Sequence, residues 1–274
     1  MRNIVVPTDF STPANNAVYY AVELAQNINA AVTLYHCFHV PVFATPMPEV
    51  TVDFEDKERE SLQLLDNLKK KLNKEYPAVN INLVANAGFA VDEIVQYSKS
   101  NHVDLIVMGI SGSGVITELM GDTTTAVAKD ANVPVLIIPL EAQFSGLKNI
   151  VIAFDRKKIT DKGDFDVIVN LANKFDSTVT ALHVRHYYET PNPEESLSEM
   201  QINEMLDSIN FKKINFITDV DTAEGLEHYQ SKHDVDLLVM TKRKHSFLDL
   251  LFNGGSVTKK MAFHTHRPLL ILHE

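Results

Sequence analysis

The first half of the chain alternates short aliphatic runs with amphipathic stretches. The runs are rich in β-branched residues and occupy 4–6, 32–35, 81–84, 105–108 and 135–138. Because continuous apolar runs of this kind are typical of strands covered on both faces, they predict a parallel sheet. The stretches between them predict helices, the first capped by Ser11 or Thr12 with Pro13 in its first turn. The other helices are expected at 55–76, where Leu62, Leu65, Leu68 and Leu72 follow helical spacing, and at 92–98 and 123–131.

The same pattern occurs twice along the chain. Segments 3–9, 31–36, 103–108 and 133–138 reappear, in the same order, as 149–155, 178–183, 235–240 and 267–272. Four ordered matches indicate a duplication. A short polar stretch with a glycine, 141–146, is typical of a linker, so we predict domains at 1–142 and 147–274.

The second half repeats the alternation of strands and helices. Its predicted strands are 150–154, 179–183, 213–217, 237–240 and 269–272, and its predicted helices are 165–175, 194–209, 223–232 and 257–263. The fold class is therefore α/β, with two repeated doubly wound domains. Each is expected to be a five-stranded parallel sheet flanked by helices, with right-handed crossovers.

Charge and composition narrow the range of partners. The chain has 274 residues, 45% of them hydrophobic, and a formal net charge of −11. An acidic protein repels phosphate backbones, so nucleic acid is not expected as a partner. The single cysteine, Cys37, excludes an internal disulfide and is expected to be a buried, inert thiol. Neither a signal-peptide layout nor a long apolar run is present, so we expect a cytoplasmic protein with no membrane partner.

Two polar segments follow predicted strands of the first half. One is Pro7-Thr8-Asp9, and the other runs from Gly109 to the helix start at 121–125. Ligands of open α/β sheets bind at the carboxyl ends of the strands, where both segments lie. Glycines let a backbone approach a ligand, and N–H groups at a helix start favour phosphate. The alternative interpretation is that these glycines only form tight turns.

This layout resembles the universal stress protein family, over nearly the whole chain and twice. The family fold is a five-stranded α/β sandwich, adenine nucleotide α-hydrolase-like, that dimerises through its last strand. Its ATP-binding members carry an aspartate after the first strand and a loop of Gly, two residues, Gly, nine residues, Gly, then Ser or Thr. Here Gly109 and Gly112 match, eight residues precede Gly121, and Asp122 replaces the hydroxyl residue.

The resemblance implies an adenine nucleotide, ATP, ADP or AMP, bound by the first domain, with Mg²⁺ left open. The residues implied are Pro7, Thr8, Asp9, Val40, Met108, Gly109, Gly112, Gly121, Asp122, Thr123 and Thr124. The shorter loop and Asp122 disfavour the triphosphate. Asp122 is open to two interpretations, a plain helix cap or a contact through a cation.

The second domain departs further from the family loop. It reads Thr-Lys-Arg-Lys-His at 241–245, with neither glycine, although Asp155 and a Gly-Gly-Ser segment at 254–256 remain. We therefore expect no cofactor there. Lys242, Arg243 and Lys244 are either a solvated loop or a contact for another anion.

No catalytic residue and no metal site is expected. His36, Cys37, His39, His264 and His266 lack the spacing of a structural zinc site, and neither a nucleophile elbow nor a P-loop is present. The favoured function is a stress-response regulatory protein that binds adenine nucleotide and hydrolyses ATP slowly at most. The alternatives are a nucleotide-free interaction module with vestigial loops, and an enzyme of the related adenine-binding superfamily. The two domains are expected to pair through strands 135–138 and 269–272, with a homodimer left open.

Overall fold

The computed structural model describes residues 1–39, 54–110, 122–154, 165–186, 200–204, 206–219, 222–242 and 266–273. The predicted helix at 257–263 lies outside these ranges. Val40, Gly112 and Gly121, all predicted site residues, also lie outside the described residues.

The first half folds as the alternation predicts. Its elements, in chain order, are β1 Asn3–Pro7, α1 Thr12–Ile28, β2 Ala31–Phe38, α2 Phe54–Glu75, β3 Ile81–Ala87, α3 Ala90–Ser100, β4 Leu105–Ile110, α4 Asp122–Asp130 and β5 Val135–Pro139. Each predicted strand and helix is present, with ends that differ by a few residues. The N-cap of α1 is Ser11, whose hydroxyl accepts from the backbone N–H of Ala14.

The second half repeats the plan. Its elements are β6 Asn149–Ala153, α5 Phe165–Phe175, β7 Thr178–His186, β8 Phe211–Asp219, α6 Thr222–Lys232, β9 Leu237–Lys242 and β10 Leu269–His273. Residues 200–204 and 206 are helical, but 207–208 form a turn before β8. The predicted helix at 194–209 was therefore too long at its C-terminal end.

The ten strands of the described residues form one sheet, in the order β3-β2-β1-β4-β5-β10-β9-β6-β7-β8. Pairing is parallel within each half. The halves meet where β5 and β10 pair antiparallel, with Leu136 opposite Leu270. The expected pairing of the two last strands is thus present within one chain.

Three of the four leucines that follow helical spacing in α2 are buried, and one is not. Leu62 is 36% exposed, while Leu65, Leu68 and Leu72 are buried. The buried stripe begins instead at Ser61, whose hydroxyl donates to the Lys57 carbonyl at 2.8 Å. Ser61 lies four residues before Leu65 and so shares its face, whereas Leu62 lies beside that face.

A repeated aspartate ties the first and fourth strands of each half together. The Asp104 carboxylate accepts from the backbone N–H of Asn3 at 2.9 Å, and the Asp236 carboxylate accepts from that of Asn149 at 2.8 Å. These bonds fix the amino ends of β1 with β4 and of β6 with β9. Strand order reverses between β1 and β4, so a crevice is expected beyond their carboxyl ends.

Candidate functional site

A cavity of about 250 Å³ lies beyond the carboxyl ends of β1 and β4. The predicted site residues that line it are Pro7, Thr8, Asp9, Met108, Gly109, Thr123 and Thr124. The two segments, about a hundred residues apart in sequence, are brought together because parallel strands end at one edge of the sheet. Their role toward a ligand stays a prediction.

The turn after β1 is held by its own side chains. The Thr8 N–H donates to the Tyr35 carbonyl at 2.8 Å, and the Thr8 hydroxyl accepts from the N–H of Phe10 at 3.0 Å. Asp9 Oδ1 accepts from the N–H of Ser11 at 3.0 Å. Thr8 is buried and Asp9 is exposed. Asp9 therefore presents its carboxylate at the cavity, while Thr8 shapes the turn.

His36 of β2 holds this turn in place through a hydrogen bond and a ring contact. Its Nδ1–H donates to the Thr8 carbonyl at 2.7 Å, and its ring packs on Phe10 with centroids 4.8 Å apart. His183 repeats the bond in the second half, to the Phe154 carbonyl at 2.9 Å. The histidine is thus a structural tie. Its recurrence in both copies was the sequence signal, and sequence reasoning considered it only as a metal ligand.

Gly109 has a packing reason to be glycine. A Cβ at this position would lie 2.1 Å from the carbonyl oxygen of Pro13, at the start of α1. Real contacts are never that short, so a side chain here would push α1 off β4. The glycine is explained without any ligand, although its backbone still lines the cavity.

The start of α4 forms another wall. The Thr124 hydroxyl donates to the Gly109 carbonyl at 3.3 Å and is buried, whereas Thr123 is exposed. Asp122 is the first residue of this helix. The first turn of α4 carries N–H groups that have no partner within the helix, which favours an anion nearby.

The floor of the cavity was not predicted. It includes Tyr35 and Cys37 from β2, with Ala90 and Ile94 from α3. Burial, followed by the negative charge of Glu93, raises the pKa of Tyr35 above its ordinary value. The same causes raise the pKa of Cys37 to about 11, and its thiol donates to the Gly88 carbonyl at 3.4 Å. Cys37 is half-buried and lines the cavity, so the expectation of a buried thiol was wrong.

The lining is poor in charge. Among the described residues that line the cavity, Asp9 is the only ionisable group apart from Tyr35 and Cys37, and no lysine or arginine is present. In the described part of the chain, no group of three or more histidine, cysteine or acidic residues could hold a metal ion. His266 is exposed, and His264 lies outside the described residues.

The second half replaces the floor with apolar side chains. By strand register, Leu182 stands where Tyr35 does and Val184 where Cys37 does. A Cβ at Gly225 would lie 2.5 Å from the Val184 side chain, so α6 packs directly on β7. The buried Thr241 takes the place of Gly109. Lys242 ends β9, and Asp155, Arg243 and Lys244 lie outside the described residues.

Among the helices of the described ranges, none is both long and apolar enough to cross a membrane.

The comparisons with known proteins agree on one family. The model of the Universal stress protein family matches residues 1–139 and again 146–273. Universal stress protein MJ0531 of Methanocaldococcus jannaschii is 30% identical over 140 residues, covering 50% of this chain and 81% of the relative. Universal stress protein YxiE of Bacillus subtilis is 27% identical over 147 residues, covering 50% and 98%.

A solved structure shares the whole fold. The crystal structure of a universal stress protein from Archaeoglobus fulgidus superposes with a TM-score of 0.74 at 15% identity, covering 99% of this chain and 98% of that one. At that identity the likeness shows the fold alone. With the two family matches end to end, the chain belongs to the Universal stress protein family and carries two copies of its domain.

Proposed function

We propose that the first domain binds an adenine nucleotide in the cavity beyond β1 and β4, and that the chain acts as a nucleotide-responsive regulatory protein of the stress response. The observation that carries the proposal is the cavity itself. Seven residues expected from the family resemblance line it, drawn from two segments distant in sequence. A cleft at the switch point of a doubly wound sheet is where such folds bind ligands.

The chemistry of the lining favours a nucleotide with few phosphates. No lysine or arginine is among the described residues that line the cavity. Asp9 adds a carboxylate at the cavity. Among the described lining residues, positive charge comes from the first turns of helices and not from a cationic side chain, which suits one phosphate better than three. We therefore expect AMP to bind more tightly than ATP without Mg²⁺, and Mg²⁺ to improve ATP binding.

Hydrolysis is expected to be slow at most. Asp9 is the only carboxylate among the described lining residues, and one of its oxygens already accepts from Ser11. A general base must reach the proton that it removes, and the described lining contains no second carboxylate and no histidine.

The test is isothermal titration of nucleotide-free protein with AMP, ADP and ATP, with and without Mg²⁺. Ala90, the first residue of α3, lines the cavity, so Ala90→Leu is expected to fill it and to weaken AMP binding at least tenfold. Thr222→Leu, at the first residue of α6, is the matched control in the second domain and should bind normally. Gly109 is unsuitable for this test, because substitution there disturbs α1.

Each outcome has a clear meaning. Binding by the parent and by Thr222→Leu, with loss in Ala90→Leu, supports a nucleotide in the first cavity. Equal loss in both variants points to a general effect on folding and argues against this site. No binding of any nucleotide by the parent contradicts the proposal and favours the interaction module with vestigial loops.

A further inference from the structure

The last strand of the second half ends against a helix of the first half. In the antiparallel pairing of β10 with β5, Ile271 stands opposite Val135. His273, two residues further along β10, therefore reaches the end of α4, which precedes β5 in the chain. The His273 side chain is half-buried there, and its Nε2–H donates to the carbonyl of Ala128 at 2.9 Å. A side chain of the second domain thus bonds the backbone of a helix in the first.

The Ala128 carbonyl needs a partner from outside its helix. Because α4 ends at Asp130, Ala128 carries one of its last four carbonyls, which have no partner further along the helix. The Val127 carbonyl accepts from the backbone N–H of Ala131 at 2.8 Å, whereas the Ala128 carbonyl accepts from His273. Histidine side chains near a helix C-terminus commonly bond the last carbonyls. His273 therefore caps α4 across the boundary between the domains.

Apolar packing holds the same end of α4. Val127 and Ala128 are both 0% exposed. They belong to a hydrophobic cluster that also contains Leu269 and Ile271 of β10. The second domain therefore contacts this end of the helix through buried side chains as well as through the His273 bond.

The other end of α4 is a wall of the cavity. Thr123 and Thr124 line the cavity, and the Thr124 hydroxyl bonds the Gly109 carbonyl. The helix has nine residues and is therefore only about 13.5 Å long, at 1.5 Å per residue. A helix this short moves as a unit, so a shift at its capped end also moves the threonines at the cavity.

The equivalent position in the first half cannot make the same bond. His273 lies opposite Lys242, the last residue of β9, and Pro139 lies opposite Ile110, the last residue of β4. A proline side chain has no hydrogen-bond donor. The Pro139 carbonyl instead accepts from Asn16 in its own domain. Among the described residues, this cap is therefore given in one direction, by the second domain to the first.

We propose that His273 is a positioning residue for the nucleotide site of the first domain, because its bond to Ala128 sets where the first turn of α4 stands at the cavity. The inference rests on the proposed nucleotide binding and deepens it, since it makes the second domain part of that site. His273 is not among the described residues that line the cavity, so its effect on a ligand passes through α4.

The experiment is titration of the full chain and its variants with AMP. His273→Leu removes the donor but keeps an apolar side chain, and it should bind AMP roughly three- to tenfold more weakly, the range that one net hydrogen bond supports. His273→Gln offers an amide N–H in place of Nε2–H and should bind AMP within about twofold of the parent. His233→Leu is the matched control. The His233 ring bonds the Tyr229 carbonyl within the second domain, so this variant should bind AMP as the parent does.

Hydrogen exchange separates positioning from a general loss of stability. In nucleotide-free His273→Leu, the amides of α4 should exchange faster than in the parent. Those of α1, which is capped by Ser11 of its own domain, should keep their rate. In the parent, bound AMP should slow exchange at the end of β10, because coupling between two sites is reciprocal. This last measurement needs no variant, so it tests the inference even if His273→Leu folds poorly.

The outcomes distinguish the inference from the proposal on which it rests. Weaker AMP binding in His273→Leu with recovery in His273→Gln, and faster exchange confined to α4, support the inference. Equal AMP affinity of the parent and His273→Leu, an equal loss in His233→Leu, faster exchange throughout both domains, or no slowing at β10 by AMP would overturn it and leave nucleotide binding intact. A parent that binds no nucleotide would overturn both.

Discussion

Residues that look functional in the sequence divide into those that face the cavity and those that build its walls. Asp9 and Thr123 are exposed at the cavity, whereas Thr8 and Thr124 are buried and hydrogen-bonded to backbone groups nearby. Gly109 is glycine because α1 lies against it. A motif position can therefore match a family for a reason of packing alone.

The reactivity of the Cys37 thiol reports on the environment at the floor of the cavity. Its pKa of about 11 means that little thiolate exists at neutral pH. We expect its alkylation rate to rise with pH and to be half-maximal only near pH 11, whereas an ordinary thiol is half-maximal around its pKa of about 8.5. Bound AMP should slow the reaction by covering the thiol.

The control for this measurement is a pair of charge-removing variants on α3. Glu93→Gln removes a negative charge that raises the pKa of Cys37, so alkylation at pH 8 should become faster. Asp92→Asn, at the exposed neighbour, should leave the rate unchanged. A half-maximal rate near pH 8.5 in the parent would contradict this description of the floor.

At the scale of elements, the close approach of α1 to β4 positions the turn that carries Asp9. Gly109 permits that approach, and the Ser11 cap with Pro13 starts the helix at the right residue. In the second half, Gly225 plays a comparable part between α6 and β7. The first contact is with backbone, which cannot rotate away, and the second is with a side chain.

This difference predicts unequal costs. Gly109→Ala should lower the free energy of unfolding by roughly 1–3 kcal/mol, because the new Cβ meets the Pro13 carbonyl. Gly225→Ala should cost less, because the Val184 side chain can shift. Chemical denaturation measures the loss of unfolding free energy in each variant. An equal loss, or a larger loss in Gly225→Ala, would show that α1 moves away from β4 more easily than the distances indicate.

At the scale of the whole molecule, the segment between β5 and β6 connects the halves through side-chain contacts as well as through the backbone. Phe144 packs edge-on against Tyr20 of α1 at 5.2 Å and against Phe175 of α5 at 5.7 Å. Asn16 of α1 donates to the carbonyls of Pro139 and Ala142, both at 3.0 Å. The linker expected from its polar composition is thus an ordered bridge.

Phe144→Ala should weaken that bridge. We expect a loss of roughly 1–3 kcal/mol and a broader calorimetric transition, because the halves would unfold less cooperatively. Phe89→Ala removes a ring that is 73% exposed and is expected to change stability by no more than about 0.5 kcal/mol. A single sharp transition of unchanged midpoint in Phe144→Ala would mean that β5–β10 pairing alone couples the halves.

Sequence alone predicted the strands, the helices of the first half, the duplication and the edge of the sheet where the cavity lies, because aliphatic runs and capping residues are local signals. It did not predict the cavity floor. Tyr35, Asn86 and Glu93 come from three elements, and only the β2–β3 register with the packing of α3 brings them together. The burial of Ser61 instead of Leu62 likewise depends on how α2 rotates against the sheet.

The antiparallel pairing of β5 with β10 has a consequence for how the protein responds to its surroundings. A short tether holds partners at an effective concentration on the order of millimolar. Dilution that separates two independent chains therefore leaves this pair assembled. Because the two halves are covalently joined, a sequence change in one half does not separate it from the other. Tyr35 and Leu182, at equivalent positions of β2 and β7, are one such difference between the halves.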